Sequence, residues 1–369
     1  MSGTGSDILL VVVVVTALSF DFTNGFHDTA NVVATTISTR AMAPRVAVGF
    51  AALLNFAGAF ISLRVATTIV KGIVATDQVT STVVFAGLIG ALAWNLLTWY
   101  RGLPSSSSHA LIGGLIGAAT AAGGTGAVHG SGVVGKVILP ALISPTLAFA
   151  VAGASVIVSY RILARRRPGS VSRGFRLGQI LSSALLSVSH GTNDGQKTMG
   201  VITLALVAHG SISAAHLHVP IWVIAASATS LGLGTYAGGW RIIKTTGSRI
   251  INMNPAQGFA AQGAGAATIL AVSHFGFPIS TTHVINGGVM GAGAARRLSA
   301  VRWGVAANIV IAWVLTLPAA AAVGALTYGI TRIFGTGDTG PIVVFVALLA
   351  ALAAVAIRVR TRPPAEAAA

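Results

Sequence analysis

Long apolar runs separated by short clusters of arginine fill almost the whole 369-residue chain. Hydrophobic residues make up 54% of the sequence and charged residues only 8%, whereas soluble domains are roughly 25% charged. At about 20 apolar residues per membrane crossing, this length accommodates about 10–12 membrane segments with short connections. The sequence therefore predicts an all-α, multi-pass protein of the cell membrane, embedded in the lipid bilayer, and excludes a large soluble catalytic module.

The net charge of +16 lies in the connections between the apolar runs. The largest cluster contains Arg161, Arg165, Arg166, Arg167, Arg173 and Arg176. Because cationic loops stay on the cytoplasmic side during insertion, this charge indicates membrane topology, and we expect no nucleic-acid binding. We predict that residues 161–173 form an Arg-rich cytoplasmic linker. The absence of cysteine excludes disulfides and thiolate metal sites.

Two pairs of segments show that the sequence repeats itself. Residues 102–118, GLPSSSSHALIGGLIGA, align without a gap on residues 276–292, GFPISTTHVINGGVMGA, with eight of 17 positions identical. A second pair, NGFHDTAN at 24–31 and HGTNDGQK at 190–197, shares a glycine and an aspartate. The offsets, 174 and 166 residues, nearly agree. The pattern indicates an internal duplication.

The duplication predicts two halves, at residues 1–160 and 174–333, and a C-terminal membrane segment with a basic tail at 334–369. The apolar segments alone leave open whether the halves are inverted, because inversion requires an odd number of spans in each half. The small-residue pairs of the repeat predict close helix packing in lipid. They are Gly113 with Gly117 and Gly287 with Gly291.

Four apolar segments are too short to cross a membrane alone. They begin near Asn24, Pro104, Gly191 and Pro278. Each has only about 14–18 residues and begins at glycine or proline beside polar residues, which favours broken or re-entrant helices. Paired interrupted segments in corresponding places of two halves are typical of the binding site of a transporter.

Acidic residues are rare, with seven in the whole chain. Asp21, Asp28 and Asp194 lie within or at the end of apolar segments, where ionisable groups are costly enough to be functional by default. Because Asp28 and Asp194 also correspond in the repeat, we expect them to bind a cation, a metal ion included, or to exchange a proton. The alternative is a structural ion pair, such as Lys197 with Asp194.

Hydroxyl side chains follow Pro104 and Pro278 and lead into glycine-rich apolar helices. They are Ser105, Ser106, Ser107 and Ser108 in the first half and Ser280, Thr281 and Thr282 in the second. Such helix N-termini, with free backbone N–H groups and hydroxyls, suit a tetrahedral oxyanion, although ordinary helix capping is the alternative. Nearby carboxylates would repel phosphate or sulfate, so an anion here implies a cation carried with it.

Amide and imidazole groups complete the four motifs. The amides of Asn24, Asn31 and Asn193 offer carbonyl oxygens, which hard cations prefer. The motif histidines are His27, His109, His190 and His283. Imidazole titrates near neutrality and suits proton coupling, whereas a packed, hydrogen-bonded histidine is the structural alternative.

The motifs NGFHDTAN, PSSSSH, SHGTNDGQK and PISTTH resemble the inorganic phosphate transporter (PiT) family, closest to its bacterial low-affinity members. The resemblance covers almost the whole chain and includes WNLLTWYRGLP and AWVLTLPAA. It implies an inverted repeat and the transport of inorganic phosphate with a cation. By matching position, it implies that the following residues surround phosphate and its coupling ion: Asp28, Asn31, Asp194, Ser106, Ser107, Ser108, Ser280, Thr281 and Thr282.

One departure from the family pattern bears on the coupling ion. Sodium-coupled relatives have Asn-Asp in both Asp motifs, whereas this chain has His27-Asp28 in the first and Asn193-Asp194 in the second. This resembles the bacterial proton-coupled type that carries metal phosphate. Supporting roles are expected for Asp21, Asn24, Lys197, His109 and His283.

Together, these patterns predict a secondary transporter, and not an enzyme, that takes up inorganic phosphate by cation-coupled symport with alternating access. We expect proton coupling, with phosphate carried as a neutral metal phosphate, and no cofactor beyond the coupling ion (H⁺, Na⁺ or a divalent metal). Homo-oligomers are left open. The alternatives are a sulfate or other oxyanion permease of the same fold, Na⁺-coupled phosphate symport, and an intramembrane hydrolase using Ser107 with His109 or His190.

Overall fold

The computed structural model describes residues 3–76, 78–335 and 337–361, and these ranges are almost entirely helical, with no strand. This confirms the predicted all-α fold class. The helices are α1 (Thr4–Ser38), α2 (Pro44–Gly58), α3 (Arg64–Gly72), α4 (Ser81–Arg101), α5 (Ser107–Gly123), α6 (Gly130–Val133), α7 (Leu139–Leu163), α8 (Pro168–His209), α9 (Ile221–Ala237), α10 (Trp240–Lys244), α11 (Pro255–His274), α12 (Thr281–Ala294), α13 (Trp303–Ile333) and α14 (Thr339–Thr361).

Several helices of the described chain are long and apolar enough to cross a membrane. They are α1, α4, α13 and the continuous stretch Gly130–Leu163, and the bent pair Ile221–Ala237 with Trp240–Arg249 is a fifth when taken as one span. The protein is therefore a multi-pass membrane protein. Because α8 carries the polar motif residues and α5 and α12 have only 17 and 14 residues, the total of about 10–12 segments stays a prediction.

Two of the four predicted helix breaks are wrong. Helix α1 continues through Asn24 for 35 residues, and helix α8 continues through Gly191 for 42 residues. An unbroken helix keeps every backbone hydrogen bond satisfied in lipid. Gly191 serves packing instead, because a Cβ there would meet the backbone carbonyl of Asn55 in α2.

The other two breaks, at Pro104 and Pro278, are confirmed and form the tips of two helical hairpins. Residues 102–106 join α4 to α5, and residues 275–280 join α11 to α12. Such short connections make the joined helices antiparallel neighbours. Gly102 and Gly276 begin these turns with φ angles of 65° and 79°, in the left-handed region that favours glycine.

Each hairpin packs against a long apolar helix from the other predicted half. Helix α5 packs on α13, and α12 packs on α7. The predicted close packing of the small-residue pairs is confirmed, because a Cβ on any of these four glycines would strike backbone of the partner helix. The contacts are Gly113 with Leu317, Gly117 with Ala321, Gly287 with Pro145, and Gly291 with Phe149.

Helices α1 and α8, which carry the two Asp motifs, cross between the hairpins in opposite directions. Asp28 of α1 lies near His190 of α8. At the end of α1, eleven residues after Asp28, Thr39 donates a hydrogen bond to Gln179, which lies eleven residues before His190 in α8. Antiparallel equivalent helices are what an inverted repeat requires, and α1 packs on α9 as α8 packs on α2. These relationships support the internal duplication, which stays a prediction.

The predicted linker at residues 161–173 is shorter in the structure than in the sequence analysis. Helix α7 ends at Leu163 and α8 begins at Pro168, so only residues 164–167 lie outside helices. Proline at the first helical position is compatible with this early start, because it needs no N–H partner there. The predicted C-terminal segment is helix α14, while the basic tail at residues 362–369 lies outside the described residues.

Candidate functional site

Asp28 of α1 and Asp194 of α8 come together through a hydroxyl of the second hairpin. The Thr281 Oγ1 atom lies 3.4 Å from Asp28 Oδ2 and 3.3 Å from Asp194 Oδ2. Both carboxylates are buried, with exposures of 1% and 0%. The structure thus joins the two aspartates that correspond in the repeat, at the point where α1 and α8 cross.

The N-termini of α5 and α12 both reach Asp28. Ser107 Oγ and Thr282 Oγ1 each donate a hydrogen bond of 3.3 Å to Asp28 Oδ1. The Asn31 side-chain amide, one turn further along α1, donates to Thr282 Oγ1 at 2.8 Å. Hydroxyls from both hairpins therefore surround a carboxylate from the first Asp motif.

Ser106 and Ser280 cap the two helices. The hydroxyl oxygen of Ser106 accepts from the His109 backbone N–H at 3.1 Å, and that of Ser280 accepts from the His283 N–H at 3.2 Å. This is ordinary N-capping, the alternative raised for these motifs. The backbone N–H groups of the first two residues of each helix have no intrahelical partner, and they point out of the helix end. These residues are Ser107 and Ser108 in α5 and Thr281 and Thr282 in α12.

Lys197 of α8 is buried at the junction of the two hairpin tips. Its ammonium donates hydrogen bonds of 2.5 Å to Asp194 Oδ1 and to Ser108 Oγ, and one of 2.9 Å to the Ile279 carbonyl. The Ser108 hydroxyl donates to the same carbonyl at 3.1 Å. The ion pair with Asp194 thus exists, and it also brings a positive charge to the hydroxyls of the candidate site.

Two histidines contact the aspartates. His27 Nδ1 lies 2.8 Å from Asp28 Oδ1, and its Nε2 lies 3.2 Å from Thr98 Oγ1. His190 Nε2 lies 3.3 Å from Asp194 Oδ2 and 3.9 Å from Asp28 Oδ2. His190 was noted as a motif histidine but not placed among the site residues. The signal that identifies it is its position four residues before Asp194, which puts both on one helix face.

Asp28, His190 and Asp194 form a candidate site for a divalent metal ion. One ligand atom from each of the three lies within 4.8 Å of the others. Two carboxylates and an imidazole suit several divalent cations, with water or phosphate oxygens completing the coordination. The residues present therefore fit a divalent metal ion.

Three other predicted residues lie near the hairpin tips without reaching the aspartates. The Asn193 amide donates to Ser273 Oγ at 2.6 Å and to the Phe277 carbonyl at 3.3 Å, which holds the second tip. The rings of His109 and His283 meet edge to face with their centroids 4.7 Å apart. These two imidazoles therefore join the hairpins to each other.

The remaining predictions divide in two. Asp21 and Asn24 lie on α1 before the cluster, and no described residue forms a hydrogen bond with the Asp21 carboxylate or the Asn24 carbonyl oxygen.

The hydrolase alternative requires Ser107 to pair with a histidine. In the described structure the Ser107 hydroxyl instead bonds to Asp28, and His109 Nε2 has no hydrogen-bond partner among the described residues. Among the described residues, the Ser107 hydroxyl is therefore not hydrogen-bonded to the histidine that this alternative requires.

The whole cluster is enclosed, since none of its side chains is more than 2% exposed. Its members are His27, Asp28, Asn31, Ser107, Ser108, His190, Asp194, Lys197, Thr281 and Thr282. Hydroxyls at two helix N-termini and an ammonium group contact two carboxylates directly. Such an arrangement suits an oxyanion that both accepts and donates hydrogen bonds, and it places that ion beside a possible counter-charge.

This chain is similar to proteins of one family. The model of the "Phosphate transporter family" matches residues 24–324. A protein of Mycobacterium tuberculosis (strain CDC 1551 / Oshkosh), named "Probable low-affinity inorganic phosphate transporter", is 51% identical over 355 residues, which are 96% of this chain and 85% of the relative. One of Bacillus subtilis (strain 168) with the same name is 46% identical over 323 residues, 87% of this chain and 96% of the relative.

A solved structure shows the same fold. It is described as "The sodium-dependent phosphate transporter", and it is similar to this chain with a TM-score of 0.80 and 26% sequence identity. The similarity covers 88% of this chain and 99% of the solved one.

Proposed function

This chain belongs to the phosphate transporter family, and from that premise we propose that it takes up inorganic phosphate by cation-coupled symport with alternating access. It is a membrane transporter and not an enzyme. The relatives at about 50% identity are named as low-affinity inorganic phosphate transporters. Inorganic phosphate is accordingly the proposed cargo.

The observation that carries the proposal is the meeting of two helix N-termini at a pair of buried aspartates. Ser107 and Ser108 begin α5, and Thr281 and Thr282 begin α12. Their hydroxyls now bond to carboxylate or carbonyl oxygens, so an entering phosphate would take over donors that are already oriented. The free backbone N–H groups and the positive ends of the helix dipoles favour the same anion.

The carboxylates favour phosphate over sulfate. At neutral pH inorganic phosphate is a mixture of dihydrogen and monohydrogen phosphate, so every ion carries a proton and can donate a hydrogen bond, whereas sulfate is fully ionised. Asp28 and Asp194 are hydrogen-bond acceptors, so they stabilise an anion that donates a hydrogen bond and repel one that only accepts hydrogen bonds. Sulfate or another oxyanion remains the alternative cargo for the same fold.

Charge balance requires a cation to accompany the anion. The cluster holds two carboxylates and one ammonium group, and a further negative charge in this enclosed space would be costly. We propose proton-coupled uptake of a neutral metal phosphate. A divalent ion at Asp28, His190 and Asp194 would bridge phosphate to the protein, and His27, in contact with Asp28, is placed to exchange the proton.

Sodium coupling is the second candidate, and one specific observation favours it. The solved structure with a TM-score of 0.80 is described as sodium-dependent. Hard cations such as Na⁺ prefer oxygen ligands, and the site has carboxylate, hydroxyl and amide oxygens. Against this, His27 replaces the asparagine of the sodium-coupled motif and occupies one edge of Asp28. The two candidates differ in which gradient drives uptake.

Alternating access requires the enclosed site to open to each side of the membrane in turn. Both hairpin tips contact the site, through Ser105 at His27 and through the Ile279 carbonyl at Lys197, so we propose that their movement away from α1 and α8 exposes it. Opening one tip at a time would connect the site to one side only, as alternating access demands.

The test is uptake of radiolabelled phosphate into liposomes that contain the purified protein, under imposed H⁺, Na⁺ or Mg²⁺ gradients. We expect a proton gradient with Mg²⁺ to drive uptake, and Asp28→Asn and Asp194→Asn to abolish it. Asp7→Asn is the matched control, because Asp7 lies on the same helix α1 but at the surface, beside His209. Normal uptake by both site variants, or equal uptake of sulfate, would contradict the proposal.

A further inference from the structure

Asp21 is a buried carboxylate that the proposed phosphate site does not use. It lies on α1 seven residues, or about two turns, before Asp28, and its exposure is 0%. Neither of its oxygens has a hydrogen-bond partner among the described residues. A buried carboxylate without partners is costly as an anion, so a positive charge must neutralise it.

Two neighbouring oxygens are unpartnered in the same way. Asn24 follows Asp21 by three residues, which places it on the same face of α1, and its Oδ1 atom has no partner among the described residues. Thr198 of α8 is buried beside the Asp21 carboxylate, with which its hydroxyl makes a long contact, and that hydroxyl has no partner within hydrogen-bond distance among the described residues. A carboxylate, an amide carbonyl and a hydroxyl are the oxygen ligands that a hard cation takes.

The charged groups that face Asp21 do not satisfy it. They are Asp194, His190 and Lys197, all from α8. The Lys197 ammonium already donates to Asp194, Ser108 and the Ile279 carbonyl. His190 Nε2 lies against the Asp194 carboxylate. The neutralising charge for Asp21 must therefore come from outside the protein.

The cluster has no counterpart in the second half of the chain. The offset of the Asp motifs, 166 residues, puts Ser187 in the place of Asp21. Ser187 is buried too, but its hydroxyl donates to the Ser183 carbonyl at 2.7 Å and is satisfied. The duplicated motifs thus share the phosphate-facing aspartates, whereas the unpartnered carboxylate occurs on one side only.

We propose that Asp21, Asn24 and Thr198 form a site for one univalent coupling cation, separate from the site at Asp28 and Asp194, and that this cation neutralises Asp21 during transport. The inference rests on the proposed symport function and specifies where one coupling charge is carried. The cation is either a Na⁺ ion held by the three oxygens or a proton on the carboxyl group. The experiment distinguishes these two ions.

The measurement is the equilibrium accumulation of radiolabelled phosphate in proteoliposomes with the membrane potential clamped at zero. For a tenfold cation gradient, each co-transported cation multiplies the accumulation by about ten, since each tenfold ratio is an equal increment of free energy. One arm imposes a Na⁺ gradient at equal pH, and the other a pH gradient without Na⁺. Exchange of labelled for unlabelled phosphate, with no gradient, is measured alongside.

We expect Asp21→Asn to lower the accumulation about tenfold in one arm while phosphate exchange continues. The arm that changes identifies the ion. The reason is that asparagine resembles the neutralised carboxyl group, so the empty and loaded forms no longer differ by one charge. Asp7→Asn is the control for the same substitution on the surface of α1, and Asp21→Glu should restore most of the accumulation.

Three results would overturn the inference. The first is unchanged accumulation by Asp21→Asn in both arms. The second is a folded Asp21→Asn variant that loses phosphate exchange together with accumulation. The third applies if Asp21→Asn does not fold, and it is a Thr198→Val variant whose half-saturating cation concentration does not rise. A failure of the proposed function itself is distinguishable, because the unaltered protein would then show no phosphate exchange at all.

Discussion

Arg64 and Arg241 hold the tips of the two hairpins in the same way. Arg64 Nη1 donates to the backbone carbonyl of His274, the last residue of α11, and Arg241 Nη1 donates to that of Tyr100 in the last turn of α4, each at 2.5 Å. Arg64 begins α3 in the first predicted half, and Arg241 lies in α10 of the second. Each arginine therefore tethers the hairpin of the opposite half.

The paired tethers predict opposite effects on access to the site. Arg64→Ala should release the second hairpin tip and Arg241→Ala the first, so that each variant favours opening to a different side. Because the chain has no cysteine, a single cysteine introduced at Ser105 reports accessibility to an impermeant thiol reagent in oriented vesicles. Arg45→Ala, at the start of α2, is the control. Labelling from the same side in both variants would refute the prediction.

Lys197 is predicted to be required for stability as well as for uptake. Lys197→Met leaves Asp194 as an uncompensated buried charge, which costs about 3–5 kcal/mol of folding free energy. We expect a lower thermal unfolding temperature in detergent and loss of phosphate uptake. Lys71→Met, at an exposed position in α3, provides the comparison. If the two variants unfolded at the same temperature, Lys197 would not be the main counter-charge of Asp194.

Thr281 is predicted to contribute to phosphate affinity through its hydroxyl. Hydrogen bonds to charged groups are worth about 1.5–3 kcal/mol, so Thr281→Val should raise the KM for phosphate by at least about tenfold. Thr281→Ser keeps the hydroxyl and should stay close to the unaltered protein. Thr67→Val removes an exposed hydroxyl from α3 as a control. Equal KM values for the valine and serine variants would show that the hydroxyl does not bind phosphate.

His190 is predicted to set the dependence on divalent cations. With His190→Gln, the candidate metal site loses its imidazole, and the Mg²⁺ concentration for half-maximal uptake should rise by about tenfold or more. A chelator should lower uptake by the unaltered protein. His209→Gln, near the surface end of α8, is the matched substitution. If neither the chelator nor His190→Gln changed the rate of phosphate uptake, metal phosphate would be excluded as the cargo.

Gly117 is predicted to limit how closely α5 and α13 approach. A Cβ at this position would strike the backbone carbonyl of Ala321, so Gly117→Ala should cost about 1–3 kcal/mol through overpacking. Gly126→Ala is the control, because nothing lies within 4 Å of the added Cβ there. Thermal unfolding in detergent measures both. A Gly117→Ala protein as stable as the control would mean that the two helices separate without cost.

Features that depend on neighbouring residues could be predicted from the sequence. The apolar runs indicated helices, and Pro104 and Pro278 marked the two hairpin tips, because proline and glycine act on the backbone within one turn. The repeat also indicated which residues correspond. By contrast, the predicted breaks near Asn24 and Gly191 are wrong. Gly25 and Gly191 pack against the backbones of neighbouring helices, and a glycine that packs in this way has the same local sequence as one that ends a helix.

The sequence by itself determined that this chain is helical, lies in a membrane and carries two matched sets of aspartates and hydroxyls, since hydropathy and capping are local properties. The tertiary structure decided which of these groups meet. It brought His190 to both aspartates, used Ser106 and Ser280 as caps, and gave the Asp21 carboxylate no hydrogen bond from the part of the chain that the structure describes. Such contacts join residues far apart in the chain, so they depend on how helices α1, α8 and the two hairpins pack, which local periodicity does not encode.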